Sequence, residues 1–203
     1  FLIWLGMVLL SGISKRHLLL VFLIGAVFSL LLWTYAFEDY QKERLVTFIH
    51  PLADIRGSGY NAYQSMIAVG SGESVGKGVG LGSQSRLRFL PEYETDFIFA
   101  AFAEEWGFVG VMILFTLYWL LIWRILLCAM HGHSNFEILY GLGLATFIMS
   151  HFMIHVGMNL GLLPVTGLSL PFMSYGGTHL ATLFLGLGIL MGMRRYARIA
   201  HKE

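Results

Sequence analysis

Phe97-Ile-Phe-Ala-Ala-Phe-Ala-Glu-Glu-Trp-Gly-Phe-Val-Gly-Val-Met-Ile-Leu-Phe-Thr-Leu-Tyr-Trp-Leu-Leu-Ile-Trp-Arg-Ile-Leu-Leu-Cys-Ala-Met130 is the stretch that decides the fold. Its polar interruptions are Glu104, Glu105 and Arg124. An apolar run of this length exceeds the roughly 20 residues needed to cross a bilayer core, and a buried soluble helix rarely runs so far with so little charge. Three other segments read the same way: 18–37, which is uncharged, 136–163, and 178–193 once Gly176 and Gly177 are included. The opening run, Phe1 to Gly12, is too short to span and lacks the basic lead-in of a signal peptide; it reads as the stump of a truncated helix.

Composition agrees. Of 203 residues, 57% are apolar and 12% charged, about half the usual charged share of a soluble domain. A net charge of +1 gives no basic surface for nucleic acid. The single cysteine, Cys128, excludes an internal disulfide and a multi-cysteine metal site. The expected fold class is therefore an all-α integral membrane protein with about four full transmembrane helices plus a truncated one.

Lys15 and Arg16, Arg124, and Arg194, Arg195, Arg198 and Lys202 fall on one side when the segments alternate, and the positive-inside rule makes that side cytoplasmic. The long loop 38–96 is then extracytoplasmic. Its six basic residues count little, because long loops escape the rule. Two short amphipathic helices are expected in it, at 40–49 and 60–69, with a turn at 54–59 between them. A second outer segment, 161–177, holds Pro164, Pro171 and several glycines, which suits a re-entrant or cavity-lining piece.

Four features carry possible chemistry. Gly70-Ser-Gly-Glu-Ser-Val-Gly-Lys-Gly-Val-Gly-Leu-Gly82 fails the P-loop pattern, since Ser71 stands at the first glycine position and Gly78 at that of Ser/Thr; no nucleotide is expected. It is either a flexible surface loop or a weaker phosphate cradle of backbone amides and Lys77. Glu92, Glu94 and Asp96 cluster before the long apolar run; Thr95 or Asp96 is a helix cap, or Asp96 is a catalytic carboxylate at the mouth of a membrane cavity. Glu104 and Glu105 lie deeper, where carboxylates face polar surroundings. His151, His155 and Asn159 share one helix face; without the glutamate of the zinc-protease motif they read as an interhelical hydrogen-bonding stripe.

Three of these stretches together resemble the SEDS family, the RodA- and FtsW-like peptidoglycan glycosyltransferases. Tyr60-Asn-Ala-Tyr-Gln-Ser-Met-Ile-Ala-Val-Gly-Ser-Gly72, with Gly76-Lys-Gly78 and Gly82-Ser-Gln-Ser85, resembles the family's large outer loop. Phe89-Leu-Pro-Glu92, Thr95-Asp-Phe-Ile-Phe-Ala100 and Glu104-Glu-Trp-Gly107 resemble its most diagnostic segment. Gly161-Leu-Leu-Pro-Val-Thr-Gly167 and Leu170-Pro-Phe-Met-Ser-Tyr-Gly-Gly177 resemble its C-terminal signature, and Val165-Thr166 leans to the RodA type. Glu73 stands where a glycine is usual, Glu94 where histidine is common, Ser83 for threonine, and Thr178-His179 for a serine pair.

The resemblance implies the C-terminal half of a polytopic domain, covering 1–203, that polymerises lipid II on the outer face of the bacterial cytoplasmic membrane during cell elongation. It implies inversion at the anomeric carbon and release of undecaprenyl pyrophosphate. Asp96 aligns with the family's essential aspartate. Lys77 and Arg44 are candidates for the pyrophosphate; Gln64, Ser65, Gln84 and Ser174 for other substrate contacts; Glu92 for a divalent cation such as Mg or Mn. A class B penicillin-binding protein is the implied partner. The alternatives are a lipid-linked precursor translocase and a non-catalytic scaffold for that transpeptidase.

Overall fold

In the computed structural model the described residues are 4–6, 8, 14–35, 38, 59–86, 89–90, 92–132 and 134–200, and they form helices joined by irregular segments, with no strand among them. The helices are α1 (Lys15–Tyr35), α2 (Tyr60–Ser71), α3 (Ser83–Arg86), α4 (Ile98–Met130), α5 (Asn135–Asn159) and α6 (Gly177–Ala200). All four expected apolar segments form helices. Two of them, α4 and α5, are long and apolar enough to cross a membrane, and α1 contains a shorter apolar stretch, Arg16–Leu32. The amphipathic stretch expected at 60–69 is α2; that at 40–49 and most of the turn at 54–59 lie outside the described residues.

α4 and α5 form the principal pair. Their interface, joined by α6, buries Phe99, Tyr118, Ile125, Ala145, Ile148 and Leu183. Phe152 lies against Phe115 edge-on at 5.2 Å and against Tyr118 at 4.4 Å. Gly141 admits close approach, since a Cβ there would sit 2.6 Å from the Ala129 Cβ. Small residues at such crossings are how membrane helices pack without a hydrophobic drive. Outward faces remain apolar: Phe22, Ile24 and Leu30 on α1 and Phe108, Ile113 and Trp119 on α4 are exposed. A soluble monomer rarely displays apolar surface of that extent.

Between α4 and α5 the chain restarts by a capped entry. Ser134 accepts the Glu137 amide at 3.2 Å, and Glu137 places negative charge in the first turn.

One feature of α4 was not expected. Gly107 interrupts it with φ 62° and ψ −166°, a conformation that only glycine adopts readily. The stretch beyond the kink, 108–130, is about 34 Å long at 1.5 Å per residue, enough to cross the hydrocarbon core. The kink therefore sets the first ten residues of α4 apart from its spanning part, and the loop packs on those residues.

Candidate functional site

The glycine run is docked against α4. Lys77 and Gly78 donate their amides to the carbonyls of Glu104 and Glu105, both at 3.0 Å, and Phe108 and Val109 donate theirs to Glu73 and Ser74 at 2.9 and 3.1 Å. The kink at Gly107 exposes the backbone groups that make these bonds. Absence of side chains makes the approach possible: a Cβ on Gly72 would sit 2.0 Å from the Ala103 carbonyl oxygen, and one on Gly76 2.1 Å from that of Glu105. Glu73 has φ 47°, which accounts physically for glycine being usual there.

Inside this contact Glu104 is fully buried and receives Lys77 Nζ at 2.7 Å. Its Oε1 also accepts the Ser83 amide and hydroxyl at 2.8 and 2.9 Å, and both its oxygens accept the Gln84 amide, at 3.2 and 3.1 Å. Lys77 reaches Ser71 Oγ and Ser83 Oγ as well, each at 2.9 Å. An ammonium has three donors, and here all three have acceptors. The amides of Gly76, Lys77 and Gly78 are bonded too. Lys77 and these amides, one reading of which is a phosphate cradle, hold the loop to α4 here, because a buried carboxylate demands compensation.

Asp96 lies at the other end of this short helical stretch. The turn before it centres on Glu92, whose φ is 54° and whose carbonyl accepts the amides of Thr95, Asp96 and Phe97 at 3.1–3.2 Å. The Glu92 carboxylate is exposed and accepts the Thr95 hydroxyl at 3.0 Å. The N-cap of α4 is Phe97, with no side-chain cap bond, so neither Thr95 nor Asp96 occupies the cap position.

The segment 161–177 comes to this turn as an irregular strap. Ser174 Oγ accepts the Leu170 amide and donates to the Thr95 carbonyl, both at 2.8 Å. Tyr175 donates its amide to the Glu94 carbonyl at 2.8 Å. Gly167, at φ 71°, passes so near Asp96 that a Cβ there would lie 3.4 Å from Oδ2. Phe172 at φ 65° is a bulky residue in the left-handed region, strain of the kind that gathers at functional sites. Tyr118 of α4 donates its hydroxyl to the Pro171 carbonyl, pinning the strap to the helix pair.

The histidine stripe behaves as expected. His155 donates Nδ1–H to the Leu168 carbonyl at 2.7 Å, and Asn159 bonds Asp96, Ala100 and Ser65. Ser65, a candidate substrate contact, is fully buried and its hydroxyl donates to Asn159. Ser174 ties backbone to backbone. Gln84 is enclosed differently, with its Oε1 buried and lacking a hydrogen-bond partner. Gln64 is half-buried on α2, and Arg44 lies outside the described residues. Among the described residues no three His, Cys, Asp or Glu stand together as a cation site.

The stretches bearing the three motifs, far apart in sequence, thus meet around Asp96 and Glu104. Relatives carry the same stretches. The chain is 42% identical over 194 residues to the peptidoglycan glycosyltransferase MrdB of Escherichia coli, covering 96% of this chain and 52% of that protein. It is 39% identical over 189 residues to the peptidoglycan glycosyltransferase RodA of Treponema pallidum, covering 91% of this chain and 43% of that one. A solved chain from a peptidoglycan synthase complex, described as coordinating polymerization and crosslinking, superposes with a TM-score of 0.76 at 29% identity, over 96% of this chain and 53% of that one. The chain spans about half the length of the curated relatives it matches. The model of the FtsW, RodA and SpoVE cell cycle proteins matches residues 1–199, and the chain belongs to that family, the SEDS family.

Proposed function

We propose that the whole protein polymerises lipid II into glycan strands, with Asp96 acting on the acceptor sugar. The observation that carries this reading is the convergence at Asp96 of the Glu92 turn, the Ser174 hydroxyl on the neighbouring Thr95 carbonyl, and Gly167 close to Oδ2. In the reaction the 4-hydroxyl of one substrate's GlcNAc attacks the anomeric carbon of another substrate's MurNAc. The new O–C bond forms as the anomeric carbon–phosphate oxygen bond breaks, and polyprenyl pyrophosphate leaves with the electron pair. The hydroxyl proton passes to the Asp96 carboxylate, the general base. Attack opposite the leaving group inverts the anomeric centre.

The site opens on the extracytoplasmic face of the cytoplasmic membrane in this reading. A cysteine at Ser74 labels in intact cells, and one at Ser134 only after lysis; the reverse pattern overturns the orientation. Val165-Thr166 supports the RodA type and a role in elongation. A class B penicillin-binding protein is the proposed partner, supported by the likeness to a chain of a complex that couples polymerization to crosslinking.

The test is the intact protein with lipid II in detergent. Glycan polymer is the expected product. Lipid II crossing liposome membranes without polymer would establish the translocase instead.

A further inference from the structure

We propose that Asn159 is a positioning residue for Asp96: from the last turn of α5 it caps α4 in place of the side chain that would otherwise do so. This rests on Asp96 being the catalytic carboxylate. Ala100 is the third residue of α4, and its amide has no partner within the helix. An N-cap Ser, Thr, Asn or Asp normally accepts from that position. Phe97 has no acceptor in its side chain. Asn159 Oδ1 accepts the Ala100 amide instead, at 3.2 Å.

The same amide group fixes the residue beside the helix. Asn159 Nδ2 donates to the Asp96 carbonyl at 3.1 Å and to the His155 carbonyl at 2.8 Å. Ser65 Oγ donates to both Oδ1 and the backbone oxygen of Asn159, at 3.2 and 2.9 Å. Asn159 is wholly buried, and its side chain uses both donors and both lone pairs. Its orientation is therefore unique: a flipped amide would set NH2 against the Ala100 N–H and oxygen against two carbonyls. One turn earlier His155 holds the Leu168 carbonyl, so the end of α5 fastens both Asp96 and the strap that passes beside it. The backbone of Asp96 is thereby tied to the end of α5.

The effect should appear in turnover, because a misplacement of about 1 Å in a catalytic group costs on the order of 10²-fold. In the full-length enzyme Asn159→Ala is expected to lower kcat per folded molecule at least about tenfold while KM for lipid II stays within about twofold. Ser65→Ala, which loosens Asn159 without removing it, is expected to lower kcat about threefold with the same KM. A merely structural role would reduce the amount of folded protein and leave kcat per folded molecule unchanged. Should Asn159→Ala not accumulate as folded protein, Ser65→Ala decides alone. Asp96→Asn is assayed alongside. If Asp96→Asn polymerises normally, the catalytic reading of Asp96 has failed and the positioning role with it. If Asp96→Asn is inactive but the folded Asn159 and Ser65 variants keep wild-type kcat, or change KM alone, only the positioning proposal is overturned.

Discussion

Glu104 and Asp96 lie at the same end of α4 and are held in opposite ways. Glu104 is gripped through its carboxylate, by Lys77, the Ser83 hydroxyl and two amides, and has no exposure left. Around Asp96 the grip falls on main-chain oxygens: those of Glu92, Glu94, Thr95 and Asp96 itself all accept bonds, and the cap of the following helix is supplied by Asn159. A carboxylate fastened by its own charge closes a fold. The segment of Asp96 is held through its backbone. That contrast supports the proposal that Glu104 is the structural acid and Asp96 the chemical one.

Breaking the Glu104 contact is the largest effect expected. Glu104→Ala removes the acceptor for Lys77 and for the Ser83 and Gln84 amides, and should destabilise the folded protein by roughly 3 kcal/mol, the low end for a broken buried pair because Lys77 reaches solvent. The check is the melting temperature in detergent. Wild-type stability with lost turnover would erase the contrast by making Glu104 chemical.

Lys77→Met tests the same contact from the other side. It should cost about 1.5–3 kcal/mol of stability as a lost charge-assisted bond, with KM for lipid II unchanged. A roughly tenfold rise in KM at full stability would instead return Lys77 to the pyrophosphate. Ser174→Ala is milder: it cuts the strap's tie to Thr95 and should cost about 1 kcal/mol. Turnover should fall a few-fold without loss of substrate affinity.

Much of this was legible in the sequence. Unbroken apolar length marked the helices, and the spacing of 151, 155 and 159 marked a shared polar face that became the anchor of α5. The acidic cluster before an apolar run left Asp96 open as cap or catalytic carboxylate, and the resemblance to the SEDS family singled it out. The docking of the glycine run was not legible. Its partners are backbone groups bared by a kink, and neither hydrophobic periodicity nor charge pattern reports backbone contacts. The signal was present in weaker form: Gly72 and Gly76 of the run lie against Gly107, and a lone lysine among the glycines matches a glutamate set too deep to stand unpaired. The Ser65–Asn159 contact was not legible for a similar reason, since a serine on an amphipathic helix looks alike whether it faces a cavity or a buried asparagine.

The most direct measurement compares Asp96→Asn with wild type in lipid II polymerisation by the full-length protein, at matched expression and melting temperature. Asparagine keeps the shape and caps helices about as well as aspartate. Polymerisation is expected to fall at least ~10²-fold, the low end for loss of a general base. Near-normal polymer from the asparagine variant would contradict the assignment of Asp96 as the carboxylate that acts on the acceptor hydroxyl.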